Sequence, residues 1–204
     1  MMRSRRLVLA APLGLAGCSL LPAQKYIPRA NWPLQPPPPA FRPTPPTGPV
    51  LLVRAIAPAP GLEGRGLQTL GADGSLHSDF YNLWAVPPAE AVTQALISWA
   101  QASGLFAAVV TPGSRLNPDL IVEGELTQLL ADLPARTARA ALTLTIIKPS
   151  GAVGGYPQPL AQLTLAAQAP LPASDPAAQA AAENQALANL LTQGLAALAR
   201  YARP

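Results

Sequence analysis

The one cysteine of this chain, Cys18, follows Leu15-Ala16-Gly17, a four-residue box whose chemistry is thioether acylation. The sulfur accepts a diacylglyceryl group, and the small residues before it let a peptidase reach the bond. Arg3, Arg5 and Arg6, then the apolar run from Leu7 to Leu15, supply the charged and hydrophobic regions of a signal peptide. That run is far too short to cross a bilayer as a helix. A plain secretory signal would instead leave an exported chain with an odd thiol and no disulfide to join. Residues 1–17 are therefore expected to be removed and Cys18 to carry acyl chains such as palmitate. Ser4-Arg5-Arg6-Leu7-Val8-Leu9 reads either as a merely basic start or as a twin-arginine signal. Ser19 stands where an aspartate would retain a lipoprotein at the inner membrane. The expected address is thus the periplasmic side of the outer membrane, with the inner membrane as the alternative.

The other residues that could do chemistry form no catalytic set. His77 is the single histidine, in a Gly/Ser/Asp-rich turn. With Cys18 acylated, no Cys/His metal cluster can be assembled. A Gly-x-Ser-x-Gly nucleophile turn is absent. Glu123 and Glu125 lie two apart on a strand, which puts their carboxylates on one face about 7 Å apart. That pair either mimics an acid/base couple of a periplasmic hydrolase or is a solvated strand face. Gly61-Leu62-Glu63-Gly64-Arg65-Gly66 lacks the Lys-Ser/Thr end of a phosphate loop and reads as a turn. No catalytic residue, metal or cofactor is expected. The aromatic group Phe80, Tyr81, Trp84 and Trp99 is either core packing or a docking surface, with Tyr81 and Trp84 as its partner-binding residues.

The precursor has 14 Lys plus Arg against 10 Asp plus Glu. Three arginines leave with the signal, so the mature chain of 187 residues carries 11 against 10, a net +1. Its basic residues are scattered, which excludes a nucleic-acid footprint. Residues 19–49 hold 11 of the 26 prolines, including Pro36 to Pro39. Proline lacks an amide donor and restrains its neighbours to extended geometry. The segment 18–49 is therefore expected to be a lipidated, stiff tether, reaching at most roughly 95 Å.

The folded part, residues 50–204, is long enough for one core. Strands are expected at 50–56, 65–70 and 80–84, on β-branched and aromatic content. Pro87-Pro88-Ala89-Glu90 opens a helix with Val92, Ala95, Leu96, Trp99 and Ala102 on one stripe and Gly104 as its stop. Strands follow at 106–111, 120–126 and 141–146, with Leu142, Leu144 and Ile146 pointing inward, and another around Leu163 and Leu165. The last three form an antiparallel meander. A final helix is capped by Asp175, with Pro176 at its first position and Leu187, Leu190, Leu191, Leu195, Leu198 and Tyr201 on its apolar stripe. The order ββ(β)αββββα predicts a single α+β domain: an antiparallel-rich mixed sheet with two helices packed on it, preceded by signal peptide and tether.

Five segments carry a family resemblance; the aromatic run to Trp84 before the Pro-Pro helix start is the most specific, and the rest match as pattern. They are Gly64-Arg65-Gly66-Leu67, the stretch from Phe80 to Glu90, Leu105 to Val110, Asp119 to Leu126 and Ala181 to Leu187. Over about residues 50–203 the chain resembles the ABC-type transport auxiliary lipoprotein component family, the family of paraquat-inducible protein C. The resemblance implies a non-enzymatic periplasmic lipoprotein. Its implied partners are an MCE-domain protein and/or the permease–ATPase complex of an ABC transporter, in lipid traffic between two membranes. An alternative is a lipid-binding carrier with a pocket lined by Leu142, Leu144, Leu163 and Leu191. The long proline-rich segment departs from the family pattern.

Overall fold

The computed structural model describes residues 26–40, 48–150 and 155–202. Cys18 and the signal segment lie outside the described residues. Along the chain the elements are β1 (Ala30–Trp32), β2 (Val50–Val53), β3 (Ala57–Pro58), β4 (Gly66–Leu70), β5 (Leu76–Trp84), α1 (Pro88–Ser103), β6 (Ala108–Val110), β7 (Leu120–Asp132), β8 (Thr137–Lys148), β9 (Gln158–Pro170) and α2 (Pro176–Leu198).

Alternation builds the second half of the sheet. Every second residue of β8 from Ala138 to Ile146 is buried, the period of a strand with one covered face. β8 pairs antiparallel with β7 and with β9, so the expected meander forms. β7 runs beyond its expected end because a bulge between Leu126 and Gln128 shifts the phase. Leu120, Val122 and Leu126 face inward before it, Leu129 and Ala131 after it. A two-residue period cannot be followed across such an insertion.

β7 is the spine of the mixed sheet. Its other edge takes β2, β3 and β4 in turn, each parallel to it. β6 lies parallel beyond β2, β5 antiparallel beyond β4, and β1 parallel beyond β5. Helix α1 packs on β2, β3, β6 and β7, and α2 on β7, β8, β9 and α1. Sheet and helices share one apolar core.

Three local expectations are revised. The strand expected over 50–56 breaks after Val53. Ile56 N–H turns away to Thr93 Oγ1 (3.0 Å), and pairing resumes at Ala57. His77 belongs to strand β5 rather than a turn. Part of the expected tether is sheet: Ala30–Trp32, free of proline between Pro28 and Pro33, has amide donors and pairs with Asn82–Trp84. The next residues are clamped to both helices. Leu34 is buried. Asn184 Nδ2 donates to Pro33 O (3.0 Å), and Asn184 Oδ1 accepts from Gln35 N (2.8 Å). Trp99 Nε1 donates to Pro36 O (3.1 Å).

Both helices begin as expected. Pro88 opens α1, and Gly104 ends it in the left-handed conformation with φ 67°. In α2, Asp175 Oδ1 accepts from the amides of Ala177 (3.1 Å) and Ala178 (3.0 Å). Removing that cap in Asp175→Ala should cost about 1 kcal/mol. Urea unfolding should read this as a lower midpoint with an unchanged slope.

Candidate functional site

The aromatic group divides cleanly. Trp84 (1% exposed) and Trp99 (5%) are core, whereas Phe80 (63%) and Tyr81 (39%) are exposed. The partner-binding role expected of Tyr81 and Trp84 therefore cannot be shared. Trp84 pairs with Trp32 of β1 in the sheet register and has no surface to offer.

A bulge puts Phe80 and Tyr81 outside. Between Gly66 and Gln68, β4 spends two steps, while β5 goes from Leu83 to Ser78. The surplus residues of β5 are gathered by Asp79, whose carboxylate accepts from Tyr81 N (2.7 Å), Asn82 N (2.9 Å) and Asn82 Nδ2 (2.9 Å). Burial pushes this carboxyl up, but those hydrogen bonds and the neighbouring His77 outweigh it and hold Asp79 below its ordinary pKa. Gly66 makes room, because an added Cβ there would meet Ser78 Oγ and the Asp79 backbone. Asn82 Oδ1 also accepts from Trp32 Nε1 (3.3 Å), which ties the bulge to β1.

The two rings meet edge to face at 5.2 Å, and the Arg29 guanidinium lies 4.1 Å over the Phe80 ring. Tyr26 (83% exposed) and Ile27 (52%) precede Arg29 on the approach to β1. The result is an aromatic and cationic surface at one end of the sheet.

The other candidates are engaged structurally. Glu123 pairs with Arg54 NH1 at 2.7 Å across the strands. It stands opposite Thr145, and Glu125 opposite Thr143, on the sheet face away from Leu142 and Leu144. Among the described residues, cavities of about 350, 560 and 450 Å³ are lined by residues other than Glu123 and Glu125. The Gly61–Gly66 segment is a turn whose Gly61 N–H donates to Glu63 Oε2 (2.8 Å), so its amide is already occupied. The leucines expected to line a carrier pocket belong to the core. Leu142, Leu144 and Leu191 are buried, and Leu163 packs against the same core. Among the described residues, no three His, Cys, Asp or Glu side chains are placed to hold a metal ion. No described helix is long and apolar enough to cross a membrane.

Two features were missed in the sequence. Arg29 lies within the proline-rich segment. Glu183, on α2, is fully buried. Its Oε1 accepts from Gln179 Nε2 (2.8 Å), which also donates to Gln68 O (2.9 Å), while Oε2 has no partner. Burial pushes the Glu183 carboxyl up to about 8, against the lowering effect of the Gln179 hydrogen bond. A signal was available: Glu183 lies four residues before Leu187 and seven before Leu190, on the helix's apolar stripe.

A family model described as ABC-type transport auxiliary lipoprotein component matches residues 32–193, beginning within β1. No curated protein matches the chain. Among solved structures, a Xanthomonas campestris protein of the DUF330 family is similar at TM-score 0.67 and 20% identity, over 80% of this chain and 91% of that one. An uncharacterized protein aligns at TM-score 0.61 and 15% identity, over 85% of this chain and 99% of that one. A hypothetical protein from Chlamydia trachomatis aligns at TM-score 0.53 and 9% identity, over 76% and 97%. These likenesses establish the fold.

Proposed function

The chain belongs to the ABC-type transport auxiliary lipoprotein component family, and from that premise we propose a non-enzymatic accessory lipoprotein of an ABC/MCE-type lipid transport system. Acyl chains on Cys18 hold it to the periplasmic face of the outer membrane. The domain docks to the MCE-domain protein or to the permease–ATPase complex and keeps it near that membrane. The observation that carries this reading is the family match across residues 32–193, nearly the whole folded body. The domain's chemistry is compatible with it. The carboxylates that could have formed a hydrolytic pair are spent on the strand face, and the leucines that could have lined a carrier pocket are packed. Of the two side chains expected at a docking surface, only Tyr81 is exposed.

Stable attachment needs more than one acyl chain or a second membrane signal, since a single chain binds only marginally. Wild-type protein should take up labelled palmitate, fractionate with the outer membrane and co-purify with an MCE-domain protein or a permease–ATPase complex. Cys18→Ser should lose the label and move to the soluble periplasmic fraction. Persistent labelling of the variant, or pull-downs that recover neither transport component, would overturn the proposal.

A further inference from the structure

We infer that the surface formed by Tyr26, Ile27, Arg29, Phe80 and Tyr81 rests on the phospholipid bilayer that holds the acyl chains of Cys18. The inference builds on the proposed lipidation and replaces the idea of a domain held far from the membrane.

The first argument is reach. With Ala30–Trp32 in the sheet and Leu34 to Pro36 clamped to both helices, the segment 30–36 belongs to the body of the domain. Only eight steps of chain separate Cys18 from Tyr26. Fully extended they span at most about 26–29 Å. Attachment at that distance makes contact with the lipid surface an intramolecular event, favoured by a high effective concentration. The described surface nearest to Cys18 along the chain is the one that starts at Tyr26.

The second argument is chemistry. A bilayer interface favours side chains with an apolar body and a polar or charged tip. Tyr26, Tyr81 and Arg29 have that form, and Phe80 and Ile27 add apolar area. Residues 18–29 contain Lys25 and Arg29 and no acidic residue, which suits a surface bearing lipid phosphates. The nearby Asp79 does not oppose this, because its carboxylate is turned onto the amides of Tyr81 and Asn82. The bulge has a function in this arrangement: it presents two adjacent aromatic rings where a regular strand would have sent them to opposite faces.

The third argument is the two-signal requirement. Acyl chains fix a point, and an interfacial patch beside them fixes an orientation and adds affinity. Lipid on one side of the patch also removes the liability of two exposed rings on a soluble surface.

The test uses the mature acylated protein in vesicles of phosphatidylethanolamine with phosphatidylglycerol, and in vesicles of phosphatidylcholine alone. Acylation leaves no native thiol, so a nitroxide can be placed at Tyr81→Cys or, beyond β6 at the far end of the sheet, at Arg115→Cys. Intact mass reports acylation independently. The expected result is loss of collisions with a water-soluble nickel chelate and gain of collisions with oxygen at position 81, but not at 115. Arg29→Glu should weaken that protection more in the anionic vesicles than in the zwitterionic ones. Equal nickel access at both positions would overturn the placement while leaving lipidation intact. Protection at 81 that arises only when the MCE or permease–ATPase component is added would assign the surface to a protein and also overturn it. A chain without acyl mass would remove the lipidation reading and this placement with it.

Discussion

Glu183→Gln should stabilise the domain at pH 8 and leave it nearly unchanged at pH 4.5. The carboxyl is wholly buried, with one oxygen held by Gln179 and the other without a partner. Burial raises its pKa from 4.5 to about 8. In the unfolded chain the group ionises near its ordinary value, while in the folded chain it keeps its proton until about pH 8. Between those two values the folded state binds more protons than the unfolded state. Stability is therefore fully present below about pH 4.5 and falls as pH rises, by about 1.4 kcal/mol per pH unit, until the folded group also ionises. Across the window the loss amounts to a few kcal/mol. Glutamine keeps the shape and the acceptor for Gln179 Nε2 but has no proton to lose. Thermal melts of wild type and variant at several pH values should diverge progressively from pH 4.5 to pH 8. A difference of about 4–5 kcal/mol at the upper end corresponds to roughly 8–20 °C. Parallel melting curves at every pH would show that Glu183 is ionised in the native state or never desolvated.

Gly124→Val should be the most damaging single substitution in the sheet. Gly124 lies opposite Leu144, and an added Cβ would land on the carbonyl oxygen of Thr143 and press on Leu144 Cδ2. β8 is held by β7 on one side and β9 on the other, so its backbone carbonyl cannot retreat as a flexible side chain can. Strand β7 pairs with four neighbours, so a shift there is passed to β2, β3, β4 and β8 together. The expected cost is roughly 2–4 kcal/mol, at the upper end for overpacking. Gly64→Ala is the matched control: nothing lies within reach of its Cβ, and the change should stay within about 0.5 kcal/mol. Urea midpoints measure both. A Gly124→Val midpoint equal to that of Gly64→Ala would contradict the close approach.

The elements that sequence reading placed well are those whose signal is local. Asp175-Pro176 and Pro87-Pro88 mark helix starts because caps and first-turn prolines act within four residues. Leu142, Leu144 and Ile146 announce an inward face because a strand repeats every two residues. Where one inserted residue shifts the phase, as after Leu126, or a carboxylate gathers several residues into a bulge, as Asp79 does, the period is lost and the faces cannot be assigned. Hence the sequence offers Trp84 and Tyr81 as one surface, although one is core and the other exposed. Arg29 and Trp32 were hidden for another reason: a proline-rich composition describes a segment's average, whereas β1 needs only three consecutive residues free of proline and a partner strand.

By itself, the sequence determined the starts of the two helices, the antiparallel meander, the α+β class and the family resemblance. Each is written in adjacent residues or a short period. Only the tertiary structure decided that residues 30–36 are part of the domain, that Phe80 and Tyr81 face outward while Trp84 does not, and that Glu183 is buried. Those outcomes depend on partners far away in sequence: Asn82–Trp84 for β1, Asn184 and Trp99 for the proline segment, Gln68 for the polar contacts around Glu183. Burial and pairing are properties of pairs of segments, and no window of one chain segment contains both members.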